Sequence, residues 1–335
     1  MIRLALDTMG GDHAPAEIIT GGLRAVQDLD DLQLYLVGPE DILQIHLQGK
    51  SYPKDRVKLV HAPEVITNDD APVMAVRRKR NSSMMTALTM VKENKADVMA
   101  SAGNTGALMA GAVLITKRLP GIERPALTVV APTFNGDNVV LLDMGANMDA
   151  KADHLLQYGI MGKIYAREVL QKESPRVALL NVGVEEIKGN EQVKKAYQLL
   201  QENLPEFAGN IEARDVLQGE ADVVVCDGFV GNILLKTIEG VASGLFALLK
   251  DAFAQNLKNK IGAALLLPEL KQVRAKLDYA EYGGAPLLGV GCACIKCHGS
   301  SDARAVHNAI VSQAYRFVRQ DVNGQIKKEL TDLSQ

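Results

Sequence analysis

The chain has 335 residues, and its 37 Lys and Arg residues against 40 Asp and Glu residues give a formal net charge of −3. This length fits two structural units or one large α/β domain, and the acidic balance argues against a general nucleic-acid-binding protein, which needs a basic surface. Apolar side chains make up 47% of the residues, which excludes a disordered chain.

The amino-terminal stretch MIRLALDTMGG is a short apolar run that contains Arg3 and leads directly into Asp7. A secretory signal needs a longer apolar segment and a small-residue cleavage site, so we expect no export signal. No apolar run approaches the ~20 residues of a membrane span, so we expect no span. The sequence therefore predicts a soluble, cytoplasmic protein in a reducing compartment.

Short apolar runs alternate with longer segments of helical period along the chain. This alternation predicts an α/β fold with a doubly wound, mostly parallel sheet covered by helices on both faces, an α/β/α sandwich. The predicted strands are Leu4–Asp7, Leu34–Val37, Val57–His61, Asp97–Ser101, Leu127–Ala131, Val139–Asp143, Val177–Val182 and Ala221–Asp227. The predicted helices cover about 15–27, 82–94, 105–116, 153–171, 190–203 and 232–259. We expect a single domain over residues 1–335, with a helical hairpin excursion at about 245–280.

Five of the predicted strand-to-helix turns combine glycine with Asn, Asp, Thr or Lys. Ligands of doubly wound sheets bind at the carboxyl ends of the strands, and N–H groups at a helix N-terminus bind anions. Glycine and asparagine are also ordinary turn and cap residues, which is the alternative for any one turn. Together the five turns favour a phosphate-type ligand. They cover residues 7–13, 101–106, 143–147, 181–190 and 227–232.

The common nucleotide and hydrolase motifs do not occur in the sequence. There is no G-x-x-x-x-G-K-[ST], no G-x-S-x-G and no H-E-x-x-H, and the stretch from Gly289 to Gly291 lacks the third glycine of a dinucleotide site. These patterns favour inorganic phosphate or another small anion over a nicotinamide, and we expect no cofactor.

The motifs D-x-M-G-G-D-H-A-P, S-A-G-N-T-G-A-L, N-V-G-x-E-x-x-K-G-N, D-G-F-x-G-N and K-x-H-G-S-S-D resemble those of the bacterial phosphate acyltransferase family, PlsX. The resemblance runs from Asp7 to about Ala305. It implies reversible conversion of acyl-[acyl-carrier protein] and inorganic phosphate into acyl phosphate and free carrier protein, for phospholipid biosynthesis. It also implies an isopropylmalate-dehydrogenase and phosphotransacetylase-like fold, a homodimer, and peripheral association with the membrane.

Phosphate dianion is already a nucleophile, so we expect direct attack on the thioester and no covalent enzyme intermediate. The protein then orients the anion and places donors at the developing oxyanion, each worth about 3–4 kcal/mol. Lys188 is our candidate for the charge on phosphate, because Ile187 stands where relatives often carry a second basic residue; an exposed loop lysine is the alternative. His13 is a candidate donor to the oxyanion or the leaving thiolate, and Asn232 completes the catalytic candidates.

The glycine turns supply the candidate phosphate and substrate ligands. Asp7, Asp12 and Asp227 would repel phosphate, so we expect them to organise the turns instead. The candidate ligands are Gly10, Gly11, Gly103, Asn104, Thr105, Asn147, Asn190, Lys236, His298, Ser300 and Ser301.

The segment Cys292–His298 matches the haem attachment motif C-x-x-C-H and offers four zinc-type side chains. Haem attachment requires export, and the spacing lacks a second zinc knuckle. The resemblance implies an ordinary strand here, with small apolar residues at the cysteine positions. We therefore expect buried free thiols and no metal, and the redox role of Cys292, Cys294 and Cys297 stays open.

Two surface segments suggest partners. The basic run Arg77, Arg78, Lys79 and Arg80 suits an acidic acyl carrier protein, with a solvated face as the alternative and no nucleic acid expected. Leu265, Leu266 and Leu267 lie between basic flanks, as in an interfacial membrane contact. A dimer contact would bury the same leucines. At the membrane, a glycerol-3-phosphate acyltransferase would accept the product.

Three other functions remain open on the sequence. An oxidoreductase of the isopropylmalate type would need a nicotinamide and usually a divalent metal. A carrier-protein or lipid-binding scaffold would bind without phosphate-dependent thioester loss. A phosphotransacetylase would act on acyl-CoA. The preferred acyl length, the strength of membrane binding and the oxyanion donor are not decided by the sequence.

Overall fold

The first strand, Ile2–Asp7, shows why the chain folds in layers. In the computed structural model, which describes residues 1–277 and 283–333, Leu4 and Leu6 enter one hydrophobic core and Ala5 enters a second core on the opposite face. A strand buried on both faces needs helices on both sides. The predicted α/β architecture, doubly wound with mostly parallel strands, is confirmed.

The strands form two sheets where the sequence predicted one. In chain order the strands are β1 Ile2–Asp7, β2 Leu32–Gly38, β3 Val57–His61, β4 Val98–Ser101, β5 Ala126–Leu127, β6 Val129–Pro132, β7 Asn138–Leu142, β8 Val177–Asn181, β9 Phe207–Glu212, β10 Val223–Val225, β11 Ala285–Leu288 and β12 Ala293–Lys296. The first sheet has the order β3-β2-β1-β4-β12-β11-β5, and the second has the order β6-β7-β10-β8-β9.

Helices cover both sheets. They are α1 Ala16–Asp28, α2 Glu40–Leu47, α3 Pro72–Arg78, α4 Ser83–Lys92, α5 Thr105–Thr116, α6 Ala152–Glu168, α7 Glu191–Asn203, α8 Gly228–Ala254, α9 Leu257–Leu277, α10 Ala303–Asn308, α11 Tyr315–Arg319 and α12 Val322–Leu333. A 3-10 turn covers Val216–Gln218, and a π-helical turn over Ala309–Ala314 joins α10 to α11. One core joins side chains of both sheets, with the buried Tyr158 and Tyr165 of α6 inside it.

The predicted strand Leu127–Ala131 is wrong in one respect, because the chain changes sheets within it. Leu127 of β5 pairs with Leu287 in the first sheet, whereas Val129 of β6 pairs with Leu141 in the second. The sequence analysis also placed no strand at β9, where Gly209 and Asn210 interrupt the apolar pattern. Alternating apolar residues identify a strand but not the sheet that it joins.

The long helix predicted over 232–259 is two helices. Helix α8 begins at Gly228, because the side chain of Asp227 accepts a hydrogen bond from Val230 N (2.8 Å). It ends at Ala254, and α9 then starts at Leu257 and continues through Pro268. Asn232 and Lys236 therefore lie inside α8 and do not open it.

Helix α8 is long and apolar enough, by length and composition alone, to cross a membrane, and its most apolar window is unburied. The sequence analysis did not foresee a helix with these properties. Residues 255–256 separate α8 from α9. Leu265, Leu266 and Leu267 are exposed within α9 and do not form the turn, because the helix does not stop before Pro268. The predicted basic flank also includes Lys271, Arg274 and Lys276. Their side chains lie outside the described part of the structure.

Candidate functional site

The carboxyl ends of β1, β4 and β12 lie side by side where the strand order of the first sheet reverses. Three turns meet there, and we call them the first turn cluster: residues 7–13, 101–106 and 297–302. A Cβ on Gly10 would lie 2.8 Å from the Cα of Gly103. Asp12 N donates to the carbonyl of Gly299 (2.8 Å). The backbones touch, so only glycine fits at this contact.

A buried charged network lies beneath these turns. Asp7 accepts hydrogen bonds from Met9 N (3.2 Å) and Ser101 Oγ (2.6 Å). Nζ of Lys296 donates to the carbonyl oxygens of Ala102 (3.3 Å) and Cys297. Burial raises the pKa of Asp7 and lowers the pKa of Lys296. The network therefore connects all three turns of the first cluster.

Lys296 was not assigned a role by the sequence analysis, although it opens the motif K-x-H-G-S-S-D. It is 8% exposed and lies in strand β12 between apolar and small residues. A lysine inside a buried strand is rare unless it is paired or hydrogen-bonded. A lysine within an apolar run was therefore the signal by which the sequence could have identified Lys296 as a buried, hydrogen-bonded residue.

His298 lies in the third turn of the first cluster. Its Nδ1 accepts a hydrogen bond from Ser300 N (3.2 Å) and lies 2.8 Å from Ser300 Oγ. Partial burial lowers the pKa of His298, whereas the charge of Glu239 raises it and that of Lys236 lowers it. The protonation of His298 is therefore influenced by charges on α8, a helix that follows β10 of the second sheet.

The carboxyl ends of β7 and β10 carry a second turn cluster, residues 143–147 and 227–232. A Cβ on Gly228 would lie 2.8 Å from the backbone N of Asn147. Asp143 accepts hydrogen bonds from the N–H groups of Ala146 (2.9 Å) and Asn147 (2.7 Å), and burial raises its pKa. Within this cluster Asn232 lies next to Gly145, since a Cβ on Gly145 would lie 3.6 Å from the Cβ of Asn232.

Lys188 lies on the turn after β8, which is next to β10 in the second sheet. Its side chain is 47% exposed, and its Nζ lies 3.9 Å from Glu185 Oε1. The carbonyl of Lys188 accepts a hydrogen bond from Asn181 Nδ2 (3.2 Å). Among the polar contacts shown for residues 1–277 and 283–333, those of Lys188 stay within its own turn. The contacts shown for the described residues therefore do not connect Lys188 with either turn cluster.

The side chains of several predicted ligands form hydrogen bonds with backbone groups. Asn104 accepts from Ala107 N (3.0 Å) and so caps α5, while its Nδ2 lies 3.3 Å from carbonyls of the 67–70 loop. Asn190 caps α7 through Val193 N (3.0 Å). The side chain of Asn147 donates to the Pro125 carbonyl and to Asp143. Asn104 and Asn190 therefore cap helices, and Asn147 holds its own turn together.

The other predicted residues differ in exposure. His13 is exposed at the end of the first turn, and its carbonyl accepts from Glu17 N (3.2 Å). Lys236 Nζ lies 2.7 Å from Glu239 on α8. Gly11 has a φ of +102°, a conformation that favours glycine. Thr105 and Ser300 are exposed, and Ser301 is buried with its N–H bonded to the His298 carbonyl.

The basic run at the end of α3 does not form one surface. Lys79 is directed inward, with Nζ 2.6 Å from Asp70 and 2.9 Å from the Val65 carbonyl. Arg77 instead lines a groove of about 860 Å³, whose lining also includes Gly106 and Asn147. The groove therefore touches both turn clusters.

All four cysteines are buried and free of disulfides. Burial raises the pKa of Cys297 to about 11. Within the described part of the chain, no group of three or more His, Cys, Asp and Glu side chains could hold a metal ion. Residues Ala293–Lys296 of the cysteine segment form the buried strand β12, as the resemblance implied.

Residues 2–325 match the model of a family described as "Fatty acid synthesis protein". The chain is 53% identical over 332 residues to a phosphate acyltransferase of Brevibacillus brevis, covering 98% of this chain and 97% of the relative. It is 49% identical over 332 residues to a phosphate acyltransferase of Bacillus subtilis, covering 99% and 98%.

Two solved structures share the fold at low sequence identity. A phosphotransacetylase from Streptococcus pyogenes has a TM-score of 0.64 and 17% identity, covering 95% of this chain and 94% of that protein. A 4-hydroxythreonine-4-phosphate dehydrogenase from Klebsiella pneumoniae has a TM-score of 0.52 and 14% identity, covering 96% and 98%. The fold alone therefore does not separate acyl transfer from oxidoreduction.

Proposed function

The chain belongs to the fatty acid synthesis protein family, an acyltransferase family that transfers acyl groups to phosphate, and from that premise we propose its substrate and mechanism. The acyl donor is an acyl-[acyl-carrier protein], and the products are acyl phosphate and free carrier protein. The observation that carries the proposal is that glycine turns lie at the carboxyl edges of two sheets and that one groove is lined by residues of both turn clusters, Gly106 and Asn147.

Phosphate binds between the two clusters in this mechanism. Backbone N–H groups at the starts of α5 and α8 point towards the anion, and both helix dipoles favour negative charge. Gly10, Gly11 and Gly103 let the turns pack against one another, since a Cβ at any of them would meet atoms of a neighbouring residue within about 3 Å. Lys236 and Lys188 supply the positive charge, and Lys188 closes onto phosphate from the neighbouring turn.

Bound phosphate attacks the thioester carbonyl directly. The new P–O–C bond forms, the carbonyl becomes an oxyanion, and its collapse breaks the C–S bond to release a thiolate. Asn232 and His13 donate to the oxyanion, at about 3–4 kcal/mol for one well-placed donor. A thiolate whose thiol has a pKa of about 8.5 leaves with little acid assistance.

The assembly that we propose is a cytoplasmic homodimer at the membrane surface. Exposed apolar residues occur on both helices of the hairpin, among them Val241 and Leu248 of α8. Paired hairpins would bury the α8 residues, while Leu265, Leu266 and Leu267 of α9 contact lipid. A membrane glycerol-3-phosphate acyltransferase would then receive the acyl phosphate with little exposure to water.

The test is the release of carrier-protein thiol from a long-chain acyl-[acyl-carrier protein], with and without phosphate. We expect phosphate-dependent release that falls about a hundredfold in Lys188→Ala, a loss of roughly 2.7 kcal/mol of transition-state stabilisation. Lys194→Ala is the matched control, because Lys194 is an exposed lysine whose Nζ also lies 3.9 Å from a glutamate three residues earlier.

The outcomes separate the alternatives. If release persists in Lys188→Ala, the required positive charge must come from Lys236 or from a residue of another turn. Faster release from acyl-CoA than from the carrier thioester would favour a phosphotransacetylase. No release from either donor would contradict acyl transfer to phosphate and favour a binding scaffold.

A further inference from the structure

Three sulfur atoms meet on one face of β12, in a part of the core that the proposed reaction does not use. Strand β12 pairs with β4 so that Cys294 lies directly beside Met99, and the Sγ of Cys294 is 3.4 Å from the Sδ of Met99. The side chain of Cys292 is hydrogen-bonded to that of Cys294. All three side chains enter the second hydrophobic core, whereas Ala293 and Ile295 enter the first. Alternation along the strand therefore brings two thiols and one thioether together, and we call these three side chains the sulfur cluster.

The chemistry of the donors decides which ion fits the sulfur cluster. Thiolate and thioether ligands are soft, and they suit copper(I), zinc and iron–sulfur clusters. Structural zinc takes four ligands, and iron–sulfur clusters take four cysteines. Within residues 1–277 and 283–333 no third His, Cys, Asp or Glu side chain joins the two cysteines in a group that could hold a metal ion. Copper(I), a soft ion that accepts a thioether, is therefore the best match.

The spacing of the sulfur atoms is close to what one ion needs. Metal–thiolate bonds are about 2.3 Å long, so three sulfurs arranged in a plane around one ion lie about 4 Å apart. The contact between Cys294 and Met99 would have to open by roughly half an ångström to reach that separation. A change of this size needs side-chain adjustment and no separation of the strands.

The charge of the site is also compensated. Two thiolates and one copper(I) ion carry a single net negative charge, which is costly to bury without a compensating charge. Lys296 lies two residues beyond Cys294 in the same strand and is 8% exposed. The hydrogen bond with Cys292 and burial raise the pKa of Cys294, whereas the charge of Lys296 lowers it. The same hydrogen bond lowers the pKa of Cys292, so Cys292 is the thiol of the pair that ionises first.

We infer that Cys292, Cys294 and Met99 bind one copper(I) ion. Two copper–sulfur bonds replace the S–H bonds of the cysteines and release two protons, and neither copper nor sulfur changes its oxidation state. The thioether of Met99 completes the coordination without losing a proton. Cys292 keeps 4% of its surface exposed and Cys294 none, so the ion reaches Cys292 first. Bound copper fastens β12 to β4, the strands that lead into two turns of the first cluster, and takes no part in acyl transfer.

Anaerobic titration of the full chain with copper(I), in competition with the chelator bicinchoninate, tests the site. We expect the parent to bind about one equivalent, and Cys294→Ala to raise the Kd at least about a hundredfold, because a ligand is lost outright. Met99→Leu keeps a side chain of similar volume without the thioether and should raise the Kd about tenfold. Cys226→Ala is the matched control, since it removes a buried thiol from another core, and it should change the Kd less than about twofold.

Thermal unfolding gives a second readout that does not depend on the chelator. Copper(I) at about a hundred times the Kd should raise the Tm of the parent and of Cys226→Ala but not that of Cys294→Ala, because a ligand of the folded state stabilises it. The family resemblance implies small apolar residues at the cysteine positions, so we expect Cys294→Ala to fold. Circular dichroism of the metal-free proteins checks this.

The inference is overturned if the parent takes up clearly less than one equivalent, or if Cys294→Ala binds copper(I) as tightly as the parent. An unchanged Kd in Met99→Leu would identify a site of two thiolates alone and overturn the assignment of three sulfur ligands. Equal loss in Cys226→Ala would show that copper binds thiols of the unfolded chain, which also contradicts the site. The titration needs neither phosphate nor carrier protein, so its outcome is independent of the proposed reaction.

Discussion

Individual buried residues hold the first turn cluster together. Lys296 is a cation inside an apolar strand, where desolvation would be costly without partners. It is tolerated because Nζ donates to the Ala102 and Cys297 carbonyls and Asp7 lies nearby. The lysine is a positioning residue in the mechanism that we propose, since it supports two of the turns that would bind phosphate.

Lys296→Met should lower the free energy of unfolding by about 1–3 kcal/mol, because buried carbonyls lose their donor. It should also raise the KM for phosphate more than the KM for the acyl carrier. Urea unfolding and steady-state kinetics measure the two effects. Adding Asp7→Asn should restore part of the stability, since the buried carboxylate is then neutral. Unchanged stability in Lys296→Met would contradict the supporting role.

At the scale of elements, the site depends on the close approach of neighbouring turns. A Cβ on Gly10 would lie 2.9 Å from Asp7 Oδ2 as well as pressing on the backbone of Gly103. No flexible side chain can move aside for the backbone contact. The β1 and β4 turns would have to separate, and the N–H groups at the start of α5 would shift with them.

We therefore expect Gly10→Ala to lower phosphate-dependent thiol release about a hundredfold, as misplacement by about 1 Å does elsewhere. The control is Gly240→Ala in α8, where a Cβ meets nothing within 4 Å. That variant should keep full activity and gain up to about 1 kcal/mol of stability from helix propensity. Equal activity of the two variants would show that the turns tolerate separation.

Element boundaries could be predicted where they depend on local signals. Asn190 and Asp302 begin helices because their side chains accept from N–H groups three residues later. The change of sheet near Thr128 could not be predicted, because it depends on pairing with Leu287 and Leu141, which lie far along the chain. Sequence periodicity does not report the identity of such partners.

The whole molecule exposes apolar side chains on its two long helices, α8 and α9. Leu265 of α9 is 75% exposed and Leu248 of α8 is 69% exposed. We expect Leu265/266/267→Ser to reduce binding to anionic phospholipid vesicles at least about tenfold, because burying one leucine in lipid is worth roughly 1.5–3 kcal/mol. Thiol release from carrier thioesters in solution should be unchanged.

Vesicle co-sedimentation measures this loss, and light scattering reports the oligomeric state. Val241/Leu245/Leu248→Ser on α8 is the comparison variant, and it should weaken the dimer while leaving the α9 leucines intact. If the α9 variant also becomes monomeric, its leucines form a subunit contact and not a lipid contact.

The sequence by itself determined the doubly wound class and the five glycine turns, because periodicity, capping and turn chemistry are local properties of the chain, and its motifs resembled those of the family. Only the tertiary structure decided that the strands form two sheets, that three turns meet over Lys296, and that Arg77 lies at a groove while Lys79 pairs with Asp70. These relations depend on strand order and long-range packing. Residues such as Asp7 and Ser101 are 94 positions apart, and only the pairing of β1 with β4 brings them together.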